Sequence, residues 1–137
     1  MTIKEVAERC GESEHTIRYY CKAGLFPFTT RDKNNVRQFT EQDMEGVNIV
    51  LCLRDTGMSL KEIRHYMDLC KEGISTLPQR LKIIQDQEKK ADEELKNFQK
   101  KIEHLKEKEQ FYEKAIATGV EDDSCNPFVH TEDHNSH

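Results

Sequence analysis

The stretch Ser13–Phe39, SEHTIRYYCKAGLFPFTTRDKNNVRQF, decides the fold. Ser13 is a good N-cap, and Glu14 puts an acid in the first turn, where the helix dipole favours one. The helix it opens carries His15, Thr16, Ile17, Arg18, Tyr19 and Tyr20. Gly24 suits the left-handed residue that closes a helix, and Pro27 keeps the helix from resuming. Beyond it, Arg31 to Arg37 reads as a hairpin loop, with Asn34-Asn35 tolerant of positive φ. Phe26 and Phe28 anchor the hairpin, and Val36 and Phe39 fit a short strand with Arg37 facing out. A helix followed by a basic hairpin is the pattern of a helix that enters a DNA groove beside a wing.

Upstream, Thr2-x-x-Glu5 is a capping box for a short helix with Ile3, Val6 and Ala7 on its apolar face, ended by Gly11. Helix, glycine turn, helix is the helix-turn-helix pattern. Ile17 faces the first helix. His15, Thr16, Arg18 and Lys22 project outward. Tyr19 and Tyr20 point about 100 degrees apart, so one packs inward while the other offers its hydroxyl to a phosphate. Downstream, Thr40 caps a helix over Glu41 to Asp55 whose middle, Val47 to Leu53, is buried on several sides. Gly57 breaks it. Ser59-x-x-Glu62 opens a fourth helix, closed by Gly73.

From Leu77 the period changes. Leu77, Leu81, Ile84, Glu88, Ala91, Leu95, Phe98, Ile102, Leu105, Glu109, Tyr112 and Ile116 follow in steps of four and three, and only the two glutamates interrupt the seam. Such heptads predict a coiled coil. About 40 residues make a rod of about 60 Å. One helix cannot bury its seam alone, so a second copy is expected to cover it. The expected fold is mainly α: a winged helix-turn-helix domain over 1–73, a coiled-coil dimerisation helix over 74–118, and an acidic tail over 119–137.

Charge distribution agrees. The 137 residues carry a net charge of −5. Residues 118–137 hold Glu121, Asp122, Asp123, Glu132 and Asp133 with no Lys or Arg, while Arg18, Lys22, Arg31, Lys33 and Arg37 face only Asp32 between His15 and Thr40. Phosphates meet the local patch, not the average. No apolar run is long enough to span a membrane and the N-terminal residues are no signal peptide, so a cytoplasmic protein without membrane contact is expected. Five cysteines without a C-x-x-C pair predict no disulfide framework.

Ile3-Lys4-Glu5-Val6-Ala7, Thr16-Ile17-Arg18-Tyr19-Tyr20, Gly24-Leu25, Arg31-Asp32-x-Asn34-x-x-Arg37 and Gly57-x-Ser59-Leu60-x-Glu62-Ile63, in this order, resemble the MerR family of bacterial regulators. The resemblance is close over the first 70 residues or so and extends to the coil in kind. It implies a homodimer through an antiparallel coiled coil, bound to a pseudo-palindrome in an over-long promoter spacer. Activation would come from distorting the DNA, with RNA polymerase engaged indirectly. It places DNA contacts on His15, Arg18, Tyr20, Arg31 and Arg37, to which Thr16 and Tyr19 of the same helix are added. Asn35-Val36 stand where the family usually has Gly-Tyr, and Cys21 where an acid is common. No enzyme activity, cofactor or metal is expected.

The family's metal sensors and its iron–sulfur branch use cysteines in the loop after the coil, where this chain has only Cys125. Cys52, in Val50-Leu51-Cys52-Leu53-Arg54, is similar in position to the cysteine of an electrophile- and aldehyde-responsive branch, as is the run Gly73-x-x-Thr76-x-x-x-Arg80. That resemblance implies Cys52 as a thiol sensor, its thiolate favoured by Arg54 or another nearby base. The plain reading is a small core residue. Cys21 reads as a half-exposed thiol; Cys10 and Cys70 are given no role. His130, His134 and His137 with Cys125 fit no standard closed metal site and read as tail. A non-covalent small-molecule effector, a coiled-coil adaptor for a protein partner, and a thiol enzyme built on Cys52 are the competing readings. The thiol enzyme is disfavoured because no His lies near Cys52 in sequence and a pocket is hard to build from so little core.

Overall fold

A computed structural model describes residues 1–119, 123 and 126–128. The expectations for Cys125, His130, His134, His137 and most of the acidic tail lie outside these residues. The chain divides into two compact units, Met1–Asp92 and Glu93–His137.

The first unit opens with α1 (Ile3–Cys10) and α2 (Glu14–Lys22). Thr2 and Glu5 form the reciprocal capping box, and the Ser13 side chain accepts from the Thr16 N–H at 3.0 Å. Each such cap is worth about 1 kcal/mol. The glycine at the end of α2 has φ +77°. There the Leu25 N–H reaches back to the Tyr20 carbonyl and the Gly24 N–H to Cys21, a Schellman closure that turns Leu25 into the core. The wing follows as β1 (Thr30–Arg31) paired antiparallel with β2 (Arg37–Gln38), with Arg31 opposite Arg37. Asn35, at φ +60°, supplies the left-handed residue of the turn.

Val36 is not part of a strand. Its N–H donates to the Asp32 carboxylate and its carbonyl accepts from the Asp32 N–H, which holds it in the loop with its side chain exposed. Phe39, one residue past β2, is buried and meets Phe26 edge-on at 6.0 Å.

Helix α3 spans Asp43–Asp55, two residues later than expected. The reason is the cap itself: Thr40 and Asp43 exchange backbone-to-side-chain bonds at 2.8 and 3.0 Å, so Glu41 and Gln42 form the turn inside the box. Gly46 lets α3 approach the wing anchor; a Cβ there would stand 2.5 Å from the Phe28 ring. Helix α4 (Leu60–Glu72) begins at the Ser59/Glu62 box and ends at Gly73, and a short 3-10 turn, Ile74–Thr76, leads into α5 (Leu77–Thr118). The core joins Val6, Ile17, Leu25, Phe26, Phe39, Val47, Val50 and Ile63, all essentially inaccessible.

The start of α5 is tied to this core. The Thr76 hydroxyl donates to the Leu69 carbonyl at 2.6 Å, and Arg80 donates to Thr76 Oγ1 and to the Gly73 carbonyl at 3.0 Å each, so the end of α4 is closed by side chains of the next helix. Ile83 and Ile84 pack on the core. Gln87, buried, donates to both oxygens of Thr56 at 2.8 and 2.9 Å. Part of the expected seam therefore faces the chain's own core around Ile84.

In the second unit, α5 continues to Thr118 and Gly119 takes φ +67°. Leu95, Phe98, Ile102, Leu105, Tyr112 and Ile116 keep the four-three spacing and are all exposed. No helix among the described residues is long and apolar enough to cross a membrane.

Candidate nucleic-acid interface

The reading helix and the wing bring the basic residues together. Arg18 lies exposed on α2, and no described residue pairs with it. Arg31 and Arg37 face one another across the two-stranded ladder. Their side chains are braced, Arg31 by the Asn35 carbonyl at 2.9 Å and Arg37 by the Thr29 hydroxyl at 2.6 Å. Both anchors are neutral, so both charges stay unspent. Asp32 is the one acid of the wing, and its carboxylate is occupied inside the turn by the Asn34 and Val36 N–H groups.

Cys21 shows how closely the cations gather. Burial pushes its thiol above the ordinary range, against the opposing pull of Arg37, Arg31 and Arg18 in that order. One sulfur thus senses guanidinium groups from both the helix and the wing. Cys21 is buried, not half-exposed as its neighbours Arg18 and Lys22 suggested, because it lies on the core side of α2 with Ile17 and Tyr20. His15 and Thr16 stand at the start of α2, with Thr16 Oγ1 accepting from Ser13 at 2.9 Å. Tyr19 is exposed. Tyr20 packs inward against the edge of Phe26 and accepts a hydrogen bond from Arg54 at 3.3 Å.

Arg54, offered with any other nearby base as a promoter of the Cys52 thiolate, is engaged by other partners. Two residues along a helix rotate a side chain by about 200 degrees. Arg54 points to α1–α2, where Glu12 first, then the Tyr20 hydroxyl, and Asp55 hold its guanidinium protonated. Cys52 itself is exposed on α3, so the plain reading of it as a core residue does not hold. Cys10 and Cys70 are partly buried. No group of three or more His, Cys, Asp or Glu among the described residues is placed to hold a metal ion.

These environments order the thiols. Cys52 is expected to react with iodoacetamide near neutral pH about tenfold faster than Cys21, whose thiolate is scarce and shielded. Because the Cys21 thiol is shifted upward, its rate should climb only as pH passes above the usual thiol range. Peptide mass spectrometry over time measures both; equal rates would mean that α2 and the wing do not pack as described.

A helix-turn-helix with a basic wing, arginines presented from both, defines a DNA-binding protein of the winged helix-turn-helix class. The profile of the MerR HTH family regulatory proteins matches residues 1–70. An uncharacterized HTH-type transcriptional regulator of Haemophilus influenzae is 35% identical over 118 residues, 86% of this chain and 87% of its own length. Among solved structures, HiNmlR, described as a MerR family regulator lacking the sensor domain and bound to promoter DNA, shares 35% identity at a TM-score of 0.78, covering 86% of this chain and 94% of that one. A MerR family transcriptional regulator from Bacillus thuringiensis shares 34% identity at a TM-score of 0.78, covering 82% and 98%. The chain belongs to the MerR family: it is a DNA-binding transcriptional regulator, not an enzyme.

Sequence reasoning missed three structural residues. Gln87 sits in a heptad helix where a polar residue reads as solvated. Gly46 carries no local signal, since its constraint is a ring from the wing. Glu12 reads as a turn residue, and only the tertiary fold brings Arg54 to it.

Proposed function

We propose that this chain binds promoter DNA as a homodimer, distorts it to activate transcription, and responds to aldehydes or other thiol-reactive compounds through Cys52. The observation that carries the DNA reading is the exposed Arg18 of α2 together with Arg31 and Arg37, opposite one another in the wing and each braced by a neutral group. The reading helix enters the major groove, with Arg18 and His15 toward base edges. The wing arginines hold the flanking phosphates. That HiNmlR is bound to promoter DNA supports a promoter as the target. The exposed apolar stripe from Leu95 to Ile116 supports a second copy, because one helix leaves it in water.

The lack of a sensor domain in HiNmlR supports sensing by groups within the helices. Cys52 is the exposed thiol of α3, and its carbonyl accepts from Thr56, the residue that Gln87 of α5 grips. A group added at Cys52 sits one turn from that junction. Run-off transcription from the DNA upstream of this protein's own gene tests the whole reading. Aldehyde treatment is expected to raise transcription with wild type and to leave Cys52→Ser unchanged. If the protein binds and neither form responds, the DNA reading stands and the effector is a non-covalent ligand. Binding without salt dependence would instead favour the coiled-coil adaptor.

A further inference from the structure

Tyr20 and Arg54 meet in an open cleft of about 520 Å³ that His15, Thr16, Tyr19 and Ser59 also line. A phenol oxygen both donates and accepts, whereas a guanidinium only donates. The 3.3 Å contact between Arg54 Nη1 and Tyr20 Oη therefore runs one way, from arginine to phenol. The Tyr20 proton is left over, and no described residue accepts it. Neither partner is free to turn away. The Tyr20 ring is held between Phe26, edge-on at 6.3 Å, and the Arg54 guanidinium, 5.8 Å from its centroid. Arg54 is pinned by Glu12 and by Asp55 at 2.7 Å. Those two carboxylates also take up its charge, which makes Arg54 a poor anion ligand in its own right.

We propose that Arg54 is a positioning residue for DNA binding: it occupies the acceptor side of the Tyr20 hydroxyl and so aims the hydroxyl proton into the cleft, where a DNA phosphate oxygen accepts it. This rests on the DNA-binding reading. It deepens that reading by giving a half-buried residue of α3 a role at the α2 surface, exerted through a single proton. A hydrogen bond to a charged acceptor is among the stronger ones, and its loss is expected to cost about tenfold in affinity at each half-site, about a hundredfold for the dimer.

The test uses the full chain and an operator selected from random duplexes. Four proteins are compared: wild type, Tyr20→Phe, Arg54→Met made together with Glu12→Gln so that only the exposed Asp55 carboxylate loses its partner, and the triple variant. Tyr20→Phe and the Arg54 variant are each expected to bind about a hundredfold more weakly, with the salt dependence of wild type. The triple variant should be no weaker than either. Losses that multiply to about ten-thousandfold would overturn the proposal, because Arg54 would then act independently of the hydroxyl. So would a Tyr20→Phe protein that binds like wild type.

If the Arg54 variant does not fold, a methylphosphonate scan of the operator decides. One replaced phosphate should erase the difference between wild type and Tyr20→Phe; finding none refutes the proposed donation. A wild type that selects no DNA sequence at all would instead fail the underlying DNA reading, a result distinct from every outcome above.

Discussion

Leu95→Asp is expected to turn the dimer into a monomer at micromolar concentration. Leu95 is 57% exposed within one chain and lies on the stripe with Phe98, Ile102 and Leu105. Covering a Leu by a partner is worth about 1.5–3 kcal/mol, and a homodimer loses two, so the change removes about 3–6 kcal/mol before the cost of burying a carboxylate is added. That raises the dimer dissociation constant by a factor of about a hundred or more. Sedimentation equilibrium reads it directly. The helical signal of residues 1–92 should survive, because Leu95 lies outside the first compact unit. A variant that still sediments as a dimer would sink the coiled-coil assignment.

Arg18→Ala is expected to abolish tight operator binding without unfolding the protein. Arg18 is exposed and contributes nothing to the core, so its loss leaves α2 intact. If it reads a base, each half-site loses about 1–3 kcal/mol, and two half-sites give about 2–6 kcal/mol, roughly thirtyfold to ten-thousandfold in affinity. The preference at that base pair should relax. A phosphate role predicts something else, a uniform loss across sequences and a salt slope reduced by about one for each contact removed. Fluorescence anisotropy at several salt concentrations, with operator and scrambled duplex, separates the two. Unchanged affinity and preference would remove Arg18 from the interface.

Much of this molecule was legible because its punctuation is local. Thr2 with Glu5, Ser59 with Glu62, and Gly24 before Leu25 act over three or four residues, so the sequence carries the whole interaction. The residues that escaped act across the chain. Gln87 bonds Thr56 from 31 residues away, and Arg54 meets Glu12 across 42. Cys21 was misjudged for a related reason: charged neighbours on a helix say little about which side of it meets the core. The site was legible as a basic stretch, but its arrangement was not. The opposition of Arg31 and Arg37, and the use of Asp32 inside the turn, depend on a register that Asn35 sets.

The joint between α4 and α5 carries a mechanical consequence. Thr76 and Arg80 stitch the first turn of α5 to the end of α4, and Gln87 rivets it two turns later to the end of α3. The first turns of α5, up to Gln87, are thus fastened by side chains to α3 and α4. The same bonds lead to the last turn of α3, where Arg54 is tied to Glu12 and to Tyr20 of α2.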